Sequence, residues 1–389
     1  MTNSLALSRA GGSEYLRGID LELIQEILFS RRLQSPALLL SRPEIRRNLR
    51  DLQAALPRAA VHYATKANND PTILDELHQS GGKFEICSAR EIDAVTAAGA
   101  SIHELIHSHP VKSIREFDAA VEKGVRLFVV DNPEEVKKLN RYADTKLRLL
   151  VRFRVESAER AVVDLQYKFG CAVDEVLPLA RMIRDTGHDY AGLCFHTGSQ
   201  CLYPDNYVKG IEAGSGLIKA LEDEGLSTEI LDIGGGFPVS YLEPVAAIDE
   251  FCRPINTALE RHLRPEIKIV CEPGRFISAS PVTLVCSIIG KSVRNGRIWY
   301  YLDDGLYSTF SGILYDHCRY PVLTEREGEA KLSVLAGPTC DSFDVMYDGL
   351  LIPEHEVGDL LIFPLTGAYC DVSGSDFNSL ERPRYEVLF

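Results

Sequence analysis

Residues 59–87, AAVHYATKANNDPTILDELHQSGGKFEIC, contain the alternation on which the fold turns. AAVHYA (59–64) is a run of strand-forming residues, PTILDELHQS (71–80) sets its apolar residues at helical spacing, and KFEIC (83–87) returns to strand composition after two glycines. The change of period from two to 3.6 and back predicts one βα unit and the strand of the next.

The pattern repeats outward to residue 271. Further strand-like runs are ELIHS (104–108), RLFVVD (126–131), LRLLVRFRV (147–155), AGLCFH (191–196), EILDI (229–233) and IKIVC (267–271). Amphipathic segments such as REIDAVTAAG, IREFDAAVEKG and VDEVLPLARMIRDTG fill the gaps, several ending in Gly. Eight strands with intervening helices predict a closed β/α barrel, whose reactive end lies at the C-terminal ends of the strands. The conspicuous polar residues follow that rule. Lys66 comes after the first strand, Glu85 and Cys87 lie at the second, Arg152 is in the fifth, His196 ends the sixth, Gly234 to Gly236 follow the seventh and Glu272 follows the eighth.

Beyond about residue 277 the texture changes to short β runs, PVTLVCSIIG, RIWYYLDD, AKLSVLAG and GDLLIFP, broken by Gly, Pro and Asp. The expected organisation is an N-terminal segment (1–38) packing with the β domain, a barrel (39–277) and a C-terminal β domain (278–389). A length of 389 residues fits two domains. The net charge of -14, with no long basic run, argues against nucleic acid and suits a cationic small molecule. Ten scattered cysteines without a C-x-x-C pair read as reduced thiols of a cytoplasmic protein. Neither a signal-peptide pattern nor an apolar run near ~18 residues is present, so no membrane partner is expected.

Four segments carry candidate chemistry. HYATKAN puts Lys66 at the end of a buried strand, where desolvation would favour its reaction with an aldehyde, although a strand-end lysine more often sits solvated at the rim. LDIGGGFP offers Gly234, Gly235 and Gly236 as a phosphate nest without nucleotide-loop spacing, although a tight turn reads the same way. EPGRF sets Glu272, suited to a protonated ring nitrogen, three residues from Arg275, suited to a phosphate, although a simple pairing of the two at a turn fits the same spacing. FHTGSQ adds His196, whose ring can stack on a planar group, and Ser199, a hydroxyl donor. HELIH (103–107) fits a zinc pattern only on a helix, and as a strand it separates His103 and His107 by ~13 Å, so no metal is expected.

HYATKAN, FEICSAREI, YKFG, FHTGS, LDIGGGFP, EPGRF, LDDGLYSTFSGILYDH, GPTCDSFD and GAYC occur in an order that resembles the fold type III, pyridoxal-phosphate-dependent ornithine, diaminopimelate and arginine decarboxylase family. The likeness runs from about residue 36 to the C-terminus. It implies an alanine-racemase-like barrel with a C-terminal β domain, and a homodimer with shared active sites. It also implies that Lys66 carries pyridoxal 5'-phosphate, His196 stacks on its ring and Glu272 pairs with its nitrogen. Ser199, Gly234, Gly235, Gly236, Arg275 and Tyr369 would hold the phosphate, and Glu85, Glu91 and Arg152 match further active-site positions. Cys340 would return a proton to the substrate carbon, while Asp316 and Asp341 would bind the distal ammonium. An acidic distal pocket implies a diamino acid with one carboxylate, and the greater length of the family's arginine decarboxylases sets arginine aside, so ornithine leads, with lysine, one methylene and ~1–3 kcal/mol away, or a modified diamino acid behind it. The implied product is putrescine, for polyamine biosynthesis. A non-catalytic regulator of this family is the other reading, but it would be expected to have lost cofactor residues that this chain retains. The sequence departs from the pattern at Glu85, usually Asp, at His109, usually Asn, and at Phe276, often Tyr.

Overall fold

The computed structural model describes residues 7–8, 34–155, 161–163, 165 and 167–388. Most of the predicted N-terminal segment therefore lies outside the described residues. The chain divides into two compact units, one of residues 46–239 and 245–276, the other of residues 1–45, 240–244 and 277–389.

The first unit is the expected barrel. Its strands, all parallel, are β1 (Ala59–Ala64), β2 (Lys83–Ile86), β3 (Ile106–His107), β4 (Leu127–Val130), β5 (Arg148–Arg152), β6 (Asp189–Cys194), β7 (Ile230–Asp232) and β8 (Lys268–Cys271). They pair in sequence order, and β8 closes the ring on β1 with Ile269 opposite Ala59. Ile106, Val129, Leu150, Ala191, Ile230 and Val270, from six different strands, pack into one buried cluster with Cys194. Only the barrel interior can bring side chains from non-adjacent strands together, so this cluster fills it. Phe128, one residue from Val129, faces outward and meets Phe117 of the covering helix Ile114–Lys123 at 5.4 Å.

Capping side chains set where the covering helices begin, and so how long each loop at the reactive end is. Asp70 accepts from Thr72 N at 2.8 Å, Ser88 from Glu91 N at 3.3 Å, Ser113 from Glu116 N at 3.2 Å and Asn132 from Glu135 N at 3.0 Å. Each satisfies an N–H that has no partner inside its helix.

All eight predicted strands are present, with shifted ends. The third is the most reduced, because Ile102–Glu104 forms a 3-10 turn in which Glu104 N bonds Ser101 O at 3.0 Å and Leu105 N bonds Ile102 O at 3.2 Å. His103 therefore sits on a turn and His107 on a strand, rather than both on one extended run. The sixth strand stops at Cys194, leaving His196 in the loop beyond it.

The second unit is a nine-stranded sheet. Its longest strand, Val282–Arg294, pairs antiparallel with Ala37–Ser41, Leu360–Pro364 and Arg297–Leu302. Ala37–Ser41 straddles the expected boundary at residues 38 and 39, and its ladder places it in the sheet. Leu7–Ser8 pairs parallel with Leu323–Thr324. Among the described residues, no helix is long and apolar enough to cross a membrane.

Leu150 is fully buried at the centre of the barrel cluster. Leu150→Ala is expected to cost about 2–5 kcal/mol of barrel stability, read as an earlier transition in denaturant titrations of the apoprotein.

Candidate active site

At the end of β1 the chain enters a 3-10 turn, Thr65–Ala67, which lifts Lys66 off the strand. Its Nζ donates to Glu85 Oε2 at 2.6 Å and to Cys87 Sγ at 3.8 Å. The Lys66 side chain is 39% exposed and that of Glu85 is fully buried. Of the two settings the sequence offers for Lys66, the structure has the rim one: the turn holds the amine at the barrel mouth in an ion pair rather than desolvated. The other oxygen of Glu85, Oε1, accepts from Ser108 Oγ at 2.5 Å and Cys87 Sγ at 2.9 Å. Burial pushes the Glu85 carboxyl up, but the Lys66 charge and hydrogen bonds from Cys87, Lys66 and Ser108 outweigh it and hold the group below the usual carboxylate range. Glu91 accepts from Cys87 N at 2.6 Å, and burial, then the Glu85 charge, push it to about 7.

Glu272 directly follows β8 and is buried, and its carboxyl shares a hydrogen bond with that of Asp232, while no N–H or hydroxyl of the described residues donates to its Oε1. Burial first, then the charges of Asp232 and Glu85, push its carboxyl well above the ordinary value. Asp232, at the end of β7, is pushed to about 6 by burial, although its Oδ1 accepts from Gly234 N at 2.8 Å. Arg152, at the end of β5, is buried and opposes the Asp232 charge. Beside them, His196 accepts from Gly198 N on Nδ1 at 2.9 Å, which fixes its ring. Burial, then the Arg152 and Lys66 charges, push its basicity well down, so the ring is neutral at pH 7.

The three glycines form a cradle that side chains would fill. A Cβ on Gly235 would lie 2.2 Å from the Glu272 carbonyl oxygen and 3.3 Å from His196 Nε2, and one on Gly236 would lie 2.1 Å from the Gly198 oxygen. Gly234 and Gly236 also adopt positive φ, +69° and +100°. Nearby, Arg275 Nη2 donates to Ser199 Oγ at 3.1 Å, and Cys201 N to Gly236 O at 2.8 Å. Lys66, Glu85, Arg152, His196, Ser199, Gly234, Gly235, Gly236, Glu272 and Arg275 thus gather at the C-terminal end of one barrel.

The other predicted residues stand on the sheet unit. Asp316 ends the helix Ser311–Tyr315, and Tyr369 lies after the strand Leu360–Pro364 with φ +55°. Cys340 is exposed, its N–H donating to Asn378 Oδ1 at 3.0 Å. Asp341 Oδ2 accepts a short bond from Tyr307 Oη, and Oδ1 accepts from Phe343 N at 3.0 Å. The Tyr307 bond holds the Asp341 carboxyl below its usual value, and the Tyr307 ring stacks on Phe377 at 4.4 Å.

Sequence reasoning missed Asp232, Ser108, Tyr207 and Tyr307. Asp232 was visible in LDIGGG, because an Asp two residues before a glycine turn commonly accepts its N–H. Tyr207, which donates to Gly235 O at 2.7 Å, and Ser108 carry no local signal.

Pyridoxal phosphate fits these residues. A buried Glu272 carboxyl that receives no N–H or hydroxyl donor at Oε1 suits a protonated ring nitrogen, a cradle closed to Cβ atoms beside Arg275 and Ser199 suits a phosphate, and the Lys66 amine suits the aldehyde. The family model described as pyridoxal-dependent decarboxylase, pyridoxal binding domain, matches residues 42–279. The chain is 36% identical over 353 residues to the lysine/ornithine decarboxylase of Selenomonas ruminantium, covering 90% of this chain and 88% of the relative. A solved lysine/ornithine decarboxylase from Vibrio vulnificus, complexed with cadaverine, is similar at 38% identity and TM-score 0.89, over 95% of this chain and 99% of its own. The arginine decarboxylase of Paramecium bursaria Chlorella virus is similar at 27% identity and TM-score 0.88, over 94% of this chain and 100% of its own. The chain belongs to the pyridoxal-dependent decarboxylase family. It is a carboxy-lyase that uses pyridoxal phosphate. The viral match also corrects one sequence argument, since length does not set arginine decarboxylases apart.

Two outcomes test this geometry. Gly235→Ala forces the backbone off Glu272, so most of the bound cofactor's visible absorbance should be lost on gel filtration. Asp232 binds its proton more tightly folded than unfolded, where its pKa is ~3.9, so the apoprotein loses stability as pH rises from there through about 6. Asp232→Asn should flatten that decline in thermal melts across the same range.

Proposed function

We propose that this enzyme removes the α-carboxylate of a basic L-amino acid, L-ornithine foremost, releasing putrescine and carbon dioxide for polyamine synthesis in the cytoplasm. In this reading Lys66 would hold the cofactor through its aldehyde, His196 would support its ring and Glu272 would pair with its ring nitrogen. Ser199, Arg275, the three glycines and Tyr369 hold the phosphate, and Glu85 and Arg152 set the charge around it. The enzyme acts as a homodimer in which Cys340 and Asp341 are contributed across the interface.

When bound, pyridoxal phosphate supplies an electron sink for the pair left behind by departing carbon dioxide. The chain supplies the rest. Asp316 and Asp341 hold the distal ammonium, and this remote contact orients the scissile bond. Cys340 then returns a proton to the α-carbon.

The observation that carries the cofactor assignment is the buried Glu272 carboxyl, paired only with another buried acid, in a site that also contains Lys66 and the glycine cradle. The substrate assignment is supported by Asp341, which the Tyr307 bond keeps ionised and thus suited to an ammonium. The names of the relatives support a basic substrate, and lysine is the second candidate, because one methylene changes binding by only ~1–3 kcal/mol.

Steady-state carbon dioxide release from L-ornithine, L-lysine, L-arginine and meso-diaminopimelate, with product identification, tests the proposal. The expected order puts ornithine first in kcat/KM, with lysine within about 200-fold of it. Preference for diaminopimelate would contradict a pocket built for one carboxylate, and no turnover by cofactor-loaded protein would favour the regulator. Lys66→Ala should abolish both turnover and visible absorbance.

A further inference from the structure

Lys66 is held by one oxygen of Glu85, and it is the other oxygen that has no role in the reading above. A carboxylate rotates easily about its last bond, because that torsion is broad and roughly two-fold. Glu85 is denied this freedom. Oε1 is gripped by Ser108 Oγ at 2.5 Å and Cys87 Sγ at 2.9 Å, while Oε2 meets Lys66 Nζ at 2.6 Å. All of this lies in a fully buried setting for the Glu85 side chain, where hydrogen bonds to a charged acceptor are strong.

The grip is built on the barrel rather than on a mobile loop. Glu85 lies on β2 opposite Ile106 of β3, and Ile86 lies opposite His107. Ser108 follows directly and donates its N–H to Ile86 O at 3.2 Å, so the ladder itself places the Ser108 hydroxyl. Ser108 is buried, with 6% of its surface exposed. Cys87 is tied through its N–H to Glu91 Oε2 at 2.6 Å, at the start of the capped helix Ala89–Ala97. Two separate pieces of regular structure therefore converge on one carboxylate oxygen.

We propose that Ser108 and Cys87 are positioning residues, which clamp Oε1 of Glu85 so that Oε2 faces Lys66 and presets the cofactor-bearing amine. The inference rests on the assignment of Lys66 made above. Glu85 is one methylene longer than Asp, and the two donors sit where that extra length delivers the second oxygen. A shorter carboxylate would fall away from both.

The test uses the pH at which Lys66 of the apoprotein becomes reactive toward an amine-specific acylating reagent, followed by peptide mass spectrometry. In the unaltered protein the fixed Glu85 charge holds the ammonium and delays labelling to higher pH. Ser108→Ala should lower the labelling midpoint by roughly one pH unit, a ten-fold change in the ionisation equilibrium. Cofactor release from the holoenzyme should quicken by about the same factor. Cys87→Ala should act in the same direction but less, since a thiol is a weak donor, and Cys87→Ser should restore the original midpoint. In a Glu85→Asp background, Ser108→Ala should add nothing, because the contact is already gone.

An unchanged midpoint in Ser108→Ala, or an equal shift when Ser108→Ala is added to Glu85→Asp, overturns the proposal. Should Ser108→Ala fail to fold, the contrast between Cys87→Ala and Cys87→Ser decides it, and identical midpoints there overturn it. Coupled labelling in a protein whose cofactor sits elsewhere would support the clamp and defeat the assigned role of Lys66, so the two failures are distinguishable.

Discussion

Three carboxyl groups, Glu85, Asp232 and Glu272, are buried at one end of a parallel barrel, and the charges of Lys66 and Arg152 act against them. Burying like charges together is costly, and the chain handles the three in different ways. Glu85 stays ionised because an ammonium and two hydrogen-bond donors surround it. Glu272 and Asp232 are driven toward their neutral forms. A cationic ring brought to Glu272 would relieve that burden, so the pair of buried acids, Glu272 and Asp232, favours a protonated pyridine over a neutral heterocycle. Burial, then the cations Arg152 and Lys66, keep His196 uncharged, as suits a ring on which a planar cofactor would stack.

The barrel makes this crowding possible. Parallel strands bring their C-terminal ends to one mouth, so residues as distant in sequence as Lys66, Arg152 and Glu272 meet without a long loop. The capped helix starts at Asp70, Ser88, Ser113 and Asn132 keep those connections short. The glycine run after β7 allows close backbone approach where even one methyl group would collide with the Glu272 or Gly198 carbonyl.

Much of this was legible in the sequence, for identifiable reasons. Strand and helix periods alternate cleanly from Ala59 to Cys271, and each polar residue at a strand end announced itself against an apolar run. Strand ends were harder to place. ELIHS reads as a full strand, yet the 3-10 turn at Ile102–Glu104 takes its first backbone groups out of the ladder. The setting of Lys66 stays open in the sequence for a related reason, since nothing in HYATKAN announces the turn that lifts the amine toward solvent or the ion pair that receives it. Ser108 was invisible because its role depends on register between β2 and β3, a relation across strands rather than along one. Tyr307 and Asp341 are likewise 34 residues apart and meet only through the folding of the sheet unit.

The proposed chemistry depends on a single covalent attachment point. Borohydride reduction of the holoprotein, followed by proteolysis and mass mapping, would fix the cofactor wherever it is bound. The predicted result is the pyridoxyl phosphate mass on the peptide carrying Lys66. Finding it on another lysine, or finding Lys66 unmodified in protein that retains the cofactor, would contradict that chemistry.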